Sequence, residues 1–317
     1  MKIAPLSGLV AASFTPFLPD GRLHLARIPD LAADLSRNEV AATFICGTTG
    51  EGCSLTTEER QLVAAAWAKA RPAGLKLVVH VGHNCLADSV VLARHAAEVG
   101  ADAFAMIAPS YLRPATVDDL VTSCAFVAAA APNLPFYYYH MPEATGVNFD
   151  MAEFLRVASG RIPNLGGIKF TYHDLKNYLQ ALSYDPQRFP VLYGRDETLL
   201  AGLALGATGA IGSTYNYAAP IYQRMLRAFA AGDLAGARRQ QVLSVKMIDV
   251  IIRYGGLPAG KAAMKLVGLD CGGVRLPLRA LDAAAEARFK ADLEAAEFFR
   301  AIAPLAADRA AAGRRAG

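Results

Sequence analysis

The chain has 317 residues, of which 54% are apolar and 19% charged, and its formal net charge is +4. This composition is typical of an ordered globular protein and argues against a disordered chain. Part of the small net charge lies in the C-terminal residues Arg309, Arg314 and Arg315, so it does not mark a nucleic-acid-binding surface. Five scattered cysteines form no C-x-x-C pair, which argues against a disulfide framework and a zinc site and favours a reducing compartment. No signal pattern and no apolar run near ~20 residues occurs, so we expect a cytoplasmic protein with no membrane partner.

Short apolar runs alternate with longer helical patterns along most of the chain. The predicted strands are residues 8–17, 40–46, 76–81, 103–108, 135–139, 166–171, 191–193 and 209–213. The helical patterns that follow them are 25–35, 57–70, 86–99, 117–131, 151–158, 175–182, 198–205 and 218–231. Strands alternating with helices predict parallel pairing, and this number of units predicts a closed (β/α)8 TIM barrel. A doubly wound open sheet is the alternative, but its usual G-x-G-x-x-G turn is absent from the sequence.

The C-terminal part of the chain carries helical patterns without strand patterns. We expect residues 1–233 to form the barrel domain and residues 234–303 a helical extension. Its candidate helices are 242–252, 259–267 and 281–299. Residues 304–317 are rich in alanine, arginine and glycine and are predicted to be disordered.

The run GGIKFT at 166–171 places one cation in a predicted strand. Strand alternation puts Ile168 and Phe170 on one face and Lys169 on the other. A lysine buried in a strand is costly unless it is paired or neutral. The side chain either reaches from the strand end to water, or its desolvated neutral amine attacks a carbonyl group to form a Schiff base.

Other strand ends also carry groups suited to binding, and the active site of such a barrel lies at the C-terminal ends of its strands. The loop GTTGEG at 47–52 exposes backbone N–H groups and two hydroxyls, so it is either a nest for a carboxylate or an ordinary turn. The fifth strand puts Tyr137 and Tyr139 on one face, where they form either a proton relay or core. Asp196 and Glu197 follow the seventh strand and either bind polyol hydroxyls or cap the next helix.

The sequence contains no metal-binding triad. His80 and His83 lie on or just after one predicted strand, and we expect both to be structural. The eighth strand ends in GAIGST at 209–214, whose glycines allow close approach of a ligand.

Three motifs, taken in order, resemble a known enzyme family. They are GTTGE at 47–51, the Y-x-x-P turn at 139–142 with Thr-Gly at 145–146, and GIK at 167–169. Together they resemble the dihydrodipicolinate synthase / N-acetylneuraminate lyase family of pyruvate-dependent class I aldolases, over roughly residues 8–278. The resemblance implies a Schiff base at Lys169, a catalytic tyrosine at Tyr139, a small 2-keto acid substrate and no cofactor.

The family resemblance also implies roles for other residues. Thr48 and Thr49 would bind the substrate carboxylate, Thr49 as part of the catalytic group. Tyr111 would enter the site of a neighbouring subunit and close a proton relay, so we expect a homo-oligomer, a tetramer. Contacts to a sugar chain would come from Thr171, Gly194, Asp196, Glu197, Gly212 and Ser213.

Within the family, the pattern is most similar to that of the sialate-cleaving members. The supporting segments are YYYH at 137–140, Asp-Leu at 174–175, and GSTYN at 212–216. This similarity implies retro-aldol cleavage of N-acetylneuraminate to pyruvate and N-acetylmannosamine. One departure is Glu143-Ala144, where the lyases usually carry Ala-Leu.

Two rival functions remain at this point. Dihydrodipicolinate synthase, or another 2-oxo-acid aldolase or dehydratase, is the alternative within the family. The synthases usually carry an arginine at the position of Ala144, which here offers no partner for a second carboxylate. A catalytically silent barrel that binds a keto acid or sugar is the alternative of another class.

Overall fold

Eight parallel strands form a closed barrel in the computed structural model, which describes residues 6–303. The strands are β1 (Gly8–Ala12), β2 (Ala42–Ile45), β3 (Lys76–His80), β4 (Ala103–Ile107), β5 (Phe136–His140), β6 (Leu165–Phe170), β7 (Val191–Tyr193) and β8 (Gly209–Gly212). Each strand pairs with the next, and β1 pairs with β8, with Gly8 opposite Gly209. The prediction of a (β/α)8 barrel is confirmed, and the alternative of an open sheet is wrong.

The helices of the barrel lie between its strands. They are α1 (Ile28–Arg37), α2 (Thr57–Ala70), α3 (Leu86–Glu98), α4 (Val117–Ala128), α5 (Pro142–Thr145), α6 (Met151–Ala158), α7 (Leu175–Tyr184), α8 (Leu199–Ala204) and α9 (Tyr215–Ala230). Short 3-10 turns occur at Leu25–Arg27, Gly52–Ser54 and Asp196–Thr198. α2 begins with a capping box formed by Thr56 and Glu59, and such a cap contributes about 1 kcal/mol.

Strand alternation divides the buried side chains between two cores. Tyr138 and Phe170 face outward and pack in the layer between strands and helices. Tyr137 and Tyr139 face inward and pack inside the barrel, as the alternation predicts. Burial of one such large side chain contributes about 1.5–3 kcal/mol. β5 and β6 pair with Tyr139 opposite Lys169, so both side chains point into the barrel at its C-terminal end.

Four helices follow the barrel at the C-terminus. They are α10 (Leu234–Arg253), α11 (Leu257–Leu266), α12 (Ala283–Ala295) and α13 (Phe298–Ala301). α10 packs along α9. Residues 304–317, predicted to be disordered, lie outside the described residues. Among residues 6–303, no helix is both long and apolar enough to cross a bilayer.

Among the predicted boundaries that differ from the structure, four have a clear physical reason. Strand β1 ends at Ala12, because the chain then turns away and Phe17 donates its backbone N–H to the carbonyl of Cys271. The helix predicted at 218–231 begins earlier, and the non-helical dihedrals of Ala218 mark a kink inside it. The helix predicted at 242–252 begins earlier too, since Asp233 caps it by accepting from the N–H of Gly236. The helix predicted at 281–299 is broken before α13, where Glu297 has a φ of 63°.

Candidate active site

A pocket of about 300 Å³ opens at the C-terminal ends of the strands. This is the end at which barrel enzymes carry their active sites. The predicted site residues that line it are Thr48, Thr49, Tyr139, Lys169, Thr171, Gly194, Asp196, Glu197, Gly212 and Ser213. The fold therefore brings together every predicted site residue except Tyr111.

Lys169 lies deep in this pocket with 4% of its surface exposed. Its Nζ atom lies 3.8 Å from the ring centroid of Tyr139 and 4.3 Å from that of Phe44. In the described part of the chain, no carboxylate lies within ion-pair distance of this nitrogen. The side chain is therefore buried without a carboxylate partner and does not extend into bulk water.

Tyr139 is fixed beside Lys169 by aromatic packing. Its ring meets Phe44 and His80 edge to face, with centroid distances of 5.9 and 6.0 Å. Its hydroxyl donates to Met141 Sδ at 3.0 Å. Thioether sulfur is a weak acceptor, so this hydroxyl is available for a stronger hydrogen bond to a ligand.

His80 supports Tyr139 as a neutral side chain. Burial lowers the pKa of His80 well below its ordinary value, and the positive charges of Arg60 and Lys169 lower it further. Its Nδ1 donates to the carbonyl of Cys46 at 3.1 Å, and its Nε2 accepts from the N–H of Ile107 at 3.3 Å. The ring thus joins the ends of β2 and β4 beneath the pocket, a structural role.

The glycine-rich loop at residues 47–52 lines the pocket through Thr48 and Thr49. The backbone N–H groups of Thr48 and Thr49 donate to no protein acceptor among residues 6–303. The loop itself is rigid, because Gly52 N–H donates to the Gly47 carbonyl at 3.0 Å. A Cβ atom on Gly52 would lie 1.9 Å from the carbonyl oxygen of Cys46, so only glycine fits. Free N–H groups on a fixed turn form a nest for an anion such as a carboxylate.

One residue just before this loop and one residue within it have left-handed conformations. Cys46 has a φ of 57° and Glu51 a φ of 53°. A residue other than glycine costs about 1–3 kcal/mol in such a conformation and persists only when its surroundings hold it. Cys46 is held by His80, and Glu51 is held by contacts from the C-terminal helices.

Asp196 lines the pocket, and its carboxylate is buried. Its Oδ2 accepts from the backbone N–H of Thr214 at 3.1 Å and from the Thr214 hydroxyl at 2.5 Å. Its Oδ1 and the nearby Tyr215 hydroxyl make no hydrogen bond of good geometry in the described chain. A Cβ atom on Gly212 would lie 1.7 Å from Oδ1, so glycine is required there. Desolvation raises the pKa of Asp196, and the hydrogen bonds from Thr214 oppose this effect.

Thr171 adds a second unpaired polar atom. Its Oγ1 is buried and has no hydrogen-bond partner among residues 6–303. An unsatisfied buried polar group costs about 1–3 kcal/mol. A ligand with several hydroxyl groups would supply donors to Asp196 and an acceptor or donor to Thr171, and would offset this cost.

An ion-pair network lies at the mouth of the pocket. Arg195 lies between two carboxylates, 2.8 Å from Glu197 and 3.0 Å from Glu143. Nδ1 of His173 lies 3.4 Å from Glu143. Glu143 and Ala144 are exposed and do not line the pocket. Glu143 therefore reaches the pocket only through Arg195 and Glu197.

The C-terminal helices supply an apolar wall that the sequence analysis missed. Ile248, Ile251 and Ile252 on α10 and Leu257 on α11 line the pocket opposite the strand ends. The isoleucines recur at positions i, i+3 and i+4, which places them on one helix face. This spacing was visible in the sequence. The sequence did not indicate, however, that this face of α10 lines the pocket and does not simply pack on the outside of the barrel.

Tyr111 lies outside the pocket of its own chain. It follows β4, and 87% of its surface is exposed. The side-chain oxygen of Asn84 accepts from the backbone N–H groups of Ser110 at 2.9 Å and Tyr111 at 3.2 Å, which fixes this segment. Its predicted role in a neighbouring site stays a prediction.

One group of metal-ligand side chains occurs among residues 6–303, outside the pocket. The ligand atoms of His83, Cys85 and Asp88 lie within 4.8 Å of one another at the start of α3. His83 Nδ1 accepts a hydrogen bond from the backbone N–H of Cys85 at 2.9 Å. We assign no metal to this partly exposed group.

The barrel and the comparisons with known proteins define a class I aldolase, a carbon–carbon lyase. Residues 5–296 match the dihydrodipicolinate synthetase family. The N-acetylneuraminate lyase of Gallus gallus is 42% identical over 294 residues, covering 91% of this chain and 96% of that protein. The chain belongs to the dihydrodipicolinate synthetase family, as the sequence motifs predict.

Solved structures agree with this family. The structure of Proteus mirabilis N-acetylneuraminate lyase matches with a TM-score of 0.90 and 42% identity, covering 93% of this chain and 100% of that one. A dihydrodipicolinate synthase from Bacillus anthracis matches with a TM-score of 0.85 and 27% identity, covering 91% and 97%. The same barrel thus occurs in both branches of the family.

Proposed function

We propose that this enzyme cleaves N-acetylneuraminate to pyruvate and N-acetylmannosamine through a Schiff base at Lys169. The observation that carries the proposal is the pocket itself. Its lining supports the proposal, because Lys169, Asp196 and two threonines whose backbone N–H groups have no protein acceptor, Thr48 and Thr49, surround the same cavity. Relatives named N-acetylneuraminate lyase share 42% of their residues with this chain, which supports the same substrate.

The reaction begins when the loop at 47–52 binds the substrate carboxylate. The N–H groups of Thr48 and Thr49 donate to it, and this places the neighbouring keto carbon against Lys169. The amine adds to that carbon and water leaves, which gives an iminium ion. Holding a nucleophile and a carbonyl group in register supplies about 7–11 kcal/mol of the barrier reduction in well-oriented systems.

The iminium ion then accepts the electrons of the breaking bond. Tyr139, which has given its hydroxyl proton to the departing water, receives the proton of the C4 hydroxyl. The C3–C4 bond then breaks, and C4 becomes the aldehyde of N-acetylmannosamine. The bond electrons form an enamine on Lys169. Protonation of C3 and hydrolysis release pyruvate and restore the amine. A proton relay of this kind contributes typically about 10²–10⁴-fold to the rate.

The polar side of the pocket suits the hydroxylated chain of the substrate. Asp196 and Glu197 accept hydrogen bonds from hydroxyls, and Thr171 and Ser213 add neutral partners. The same carboxylates repel a second carboxylate such as that of aspartate semialdehyde. A site built to pair with hydroxyl groups rejects analogues that lack them.

A side-by-side assay tests this substrate. Purified enzyme receives N-acetylneuraminate in one reaction and pyruvate with aspartate semialdehyde in the other. We expect pyruvate release from the first and little consumption of pyruvate in the second. A clear preference for the semialdehyde would overturn the lyase proposal in favour of a synthase.

Borohydride trapping tests the covalent step. Reduction in the presence of pyruvate should add a pyruvate-derived mass to the peptide that contains Lys169. Lys169→Ala should abolish trapping and turnover. Lys176→Ala, at an exposed lysine on α7, serves as the matched control and should retain both. An adduct on Lys176, or none on wild type, would contradict the assignment; the latter would also fit a silent binding barrel.

We further infer a homo-oligomer, a tetramer in which Tyr111 enters a neighbouring site. The exposure of Tyr111 (87%) and Leu112 (82%) side by side supports this inference, because large apolar side chains exposed together mark contact surfaces. The described cysteines are all free, which supports a reducing compartment such as the cytoplasm.

A further inference from the structure

A buried ion pair joins the C-terminal helices to the loop at residues 47–52. Nζ of Lys261 on α11 lies 2.8 Å from Oε1 of Glu51, and the two side chains are 2% and 1% exposed. Oε2 of Glu51 accepts from the backbone N–H of Arg275 at 2.9 Å. Lys261 also donates to the carbonyl of Gly273 at 2.5 Å and lies 4.1 Å from the ring centroid of Phe17.

One further charge, that of Arg275, lies near the pair. The guanidinium of Arg275 pairs with Glu59, which lies in the first turn of α2. Burial raises the pKa of the neighbouring Cys271 thiol to about 12, so that group stays neutral. Burial also lowers the pKa of Lys261, the carboxylate of Glu51 opposes that shift, and the positive charge of Arg275 lowers the pKa further. Lys261 and Glu51 therefore neutralise each other and depend on each other.

A buried ion pair of this kind seldom adds stability over an apolar pair of similar shape, but loss of one partner leaves an uncompensated charge. A buried ion pair more often fixes one arrangement of the chain. Here the residue that it fixes is Glu51, whose φ of 53° needs support from outside the loop.

A short chain of backbone contacts leads from Glu51 to the pocket. The N–H of Glu51 donates to the carbonyl of Thr48 at 3.0 Å. That bond closes the turn that contains Thr48 and Thr49, both of which line the pocket and have backbone N–H groups without a protein acceptor among residues 6–303. A shift of Glu51 would therefore turn these donors away from a bound carboxylate.

We propose that Lys261 is a positioning residue for substrate binding, acting through Glu51 on the N–H groups of Thr48 and Thr49. The C-terminal helices then supply the support for the carboxylate nest as well as the apolar wall. This inference rests on the proposed function, since it assumes that the nest binds the carboxylate of pyruvate and of the sugar acid.

The test is Lys261→Met, which keeps the apolar stem beside Phe17 and removes the charge. The readouts are the half-saturating pyruvate concentration in borohydride trapping, KM and kcat with N-acetylneuraminate, and the melting temperature. We expect half-saturation and KM to rise about tenfold while kcat falls less than about threefold, because the lost interaction acts on binding. A merely structural lysine would change the melting temperature alone.

Lys265→Met is the matched control on the same helix. Lys265 pairs with Glu286 at 2.8 Å on the surface, with 51% of its side chain exposed, and its removal should leave half-saturation unchanged. The double variant Glu51→Gln, Lys261→Met lacks both charges of this pair and is used if the single variant does not fold. It should show the same raised half-saturation.

Two outcomes would overturn the inference. If folded Lys261→Met or the double variant has the same half-saturating pyruvate concentration as wild type, the ion pair does not position the nest. Trapping at Lys169 would in that case still support the proposed function. Wild-type enzyme that traps no pyruvate would overturn the proposed function first, and the inference with it.

Discussion

Asp196→Asn is the substitution that most directly tests how the pocket recognises a sugar chain. Asparagine has nearly the same shape as aspartate, and its oxygen can still accept from the backbone N–H and hydroxyl of Thr214. Its NH₂ group then takes the place of Oδ1, the oxygen that faces Gly212. The variant thus replaces an acceptor of a pocket-lining residue with a donor and removes its charge.

The expected loss follows from one hydrogen bond to a charged group, which contributes about 1.5–3 kcal/mol. Since about 1.4 kcal/mol corresponds to a factor of ten, kcat/KM for N-acetylneuraminate should fall by about 10- to 150-fold. Pyruvate has no hydroxylated chain, so its borohydride trapping at Lys169 should stay within about threefold of wild type.

The assay measures pyruvate release and trapping in the same preparation. Asp150→Asn is the control, because Asp150 caps α6 outside the pocket and asparagine is an equally good cap. A fall of less than about threefold in kcat/KM, with trapping intact, would refute the contact between Asp196 and the sugar chain. An equal loss of trapping would show that the variant has disturbed the lysine instead.

The same variant has a pH signature in stability. Burial raises the pKa of Asp196 above its ordinary value of 3.8, so the unfolded chain releases this proton first as pH rises. Wild-type stability from this group is therefore highest below that value and decreases until the raised pKa is passed. Asparagine does not titrate, so the melting temperature of the variant relative to wild type should rise from about pH 4 to pH 7. A difference that is constant with pH would contradict the burial argument.

Three further predictions concern other groups in and around the pocket. Tyr139→Phe keeps the ring packed on His80 and removes the hydroxyl, so kcat should fall at least about 100-fold while pyruvate trapping is largely retained; loss of trapping would point to misplacement of Lys169. Glu143→Ala leaves Arg195 paired with Glu197 alone, and KM for N-acetylneuraminate should rise about two- to fivefold, as measured by steady-state kinetics; an unchanged KM would separate Glu143 from substrate binding. Light scattering should find a tetramer at assay concentration, and steady-state kinetics should find a lower kcat in Tyr111→Phe. A fully active monomer would remove the role of Tyr111.

The barrel was predictable from the sequence because its strands and helices alternate in hydrophobic pattern. Buried parallel strands read as continuous apolar runs, and those of β3, β4 and β7 begin at the predicted residues. The end of β1 was not predictable, because the apolar residues Phe14 and Phe17 look like strand but pack against other parts of the chain. Only tertiary contacts decide between these two uses of an apolar residue.

The strand-end half of the site was predictable for a related reason. Parallel strands of a barrel bring their C-terminal ends together, so Lys169, Thr48 and Asp196 could be placed in one pocket without knowing any distance. The contribution of the C-terminal helices could not be predicted from the sequence. Ile251 and Lys261 lie in ordinary amphipathic patterns, and the partner of Lys261 is at the other end of the chain. No local pattern in a sequence specifies a contact of that range.

The closure of the barrel also affects how the protein folds during its synthesis. β1 finds its second neighbour only when β8 has been made, because Gly8–Ala12 pairs with Gly209–Gly212. At a synthesis rate of about 5–20 residues per second, roughly ten to forty seconds separate the two strands on the ribosome. During that interval one side of β1 offers unpaired N–H and carbonyl groups to any neighbouring nascent chain. A chain whose synthesis stops between the seventh and eighth strands should therefore aggregate and should not fold into a stable, inactive enzyme.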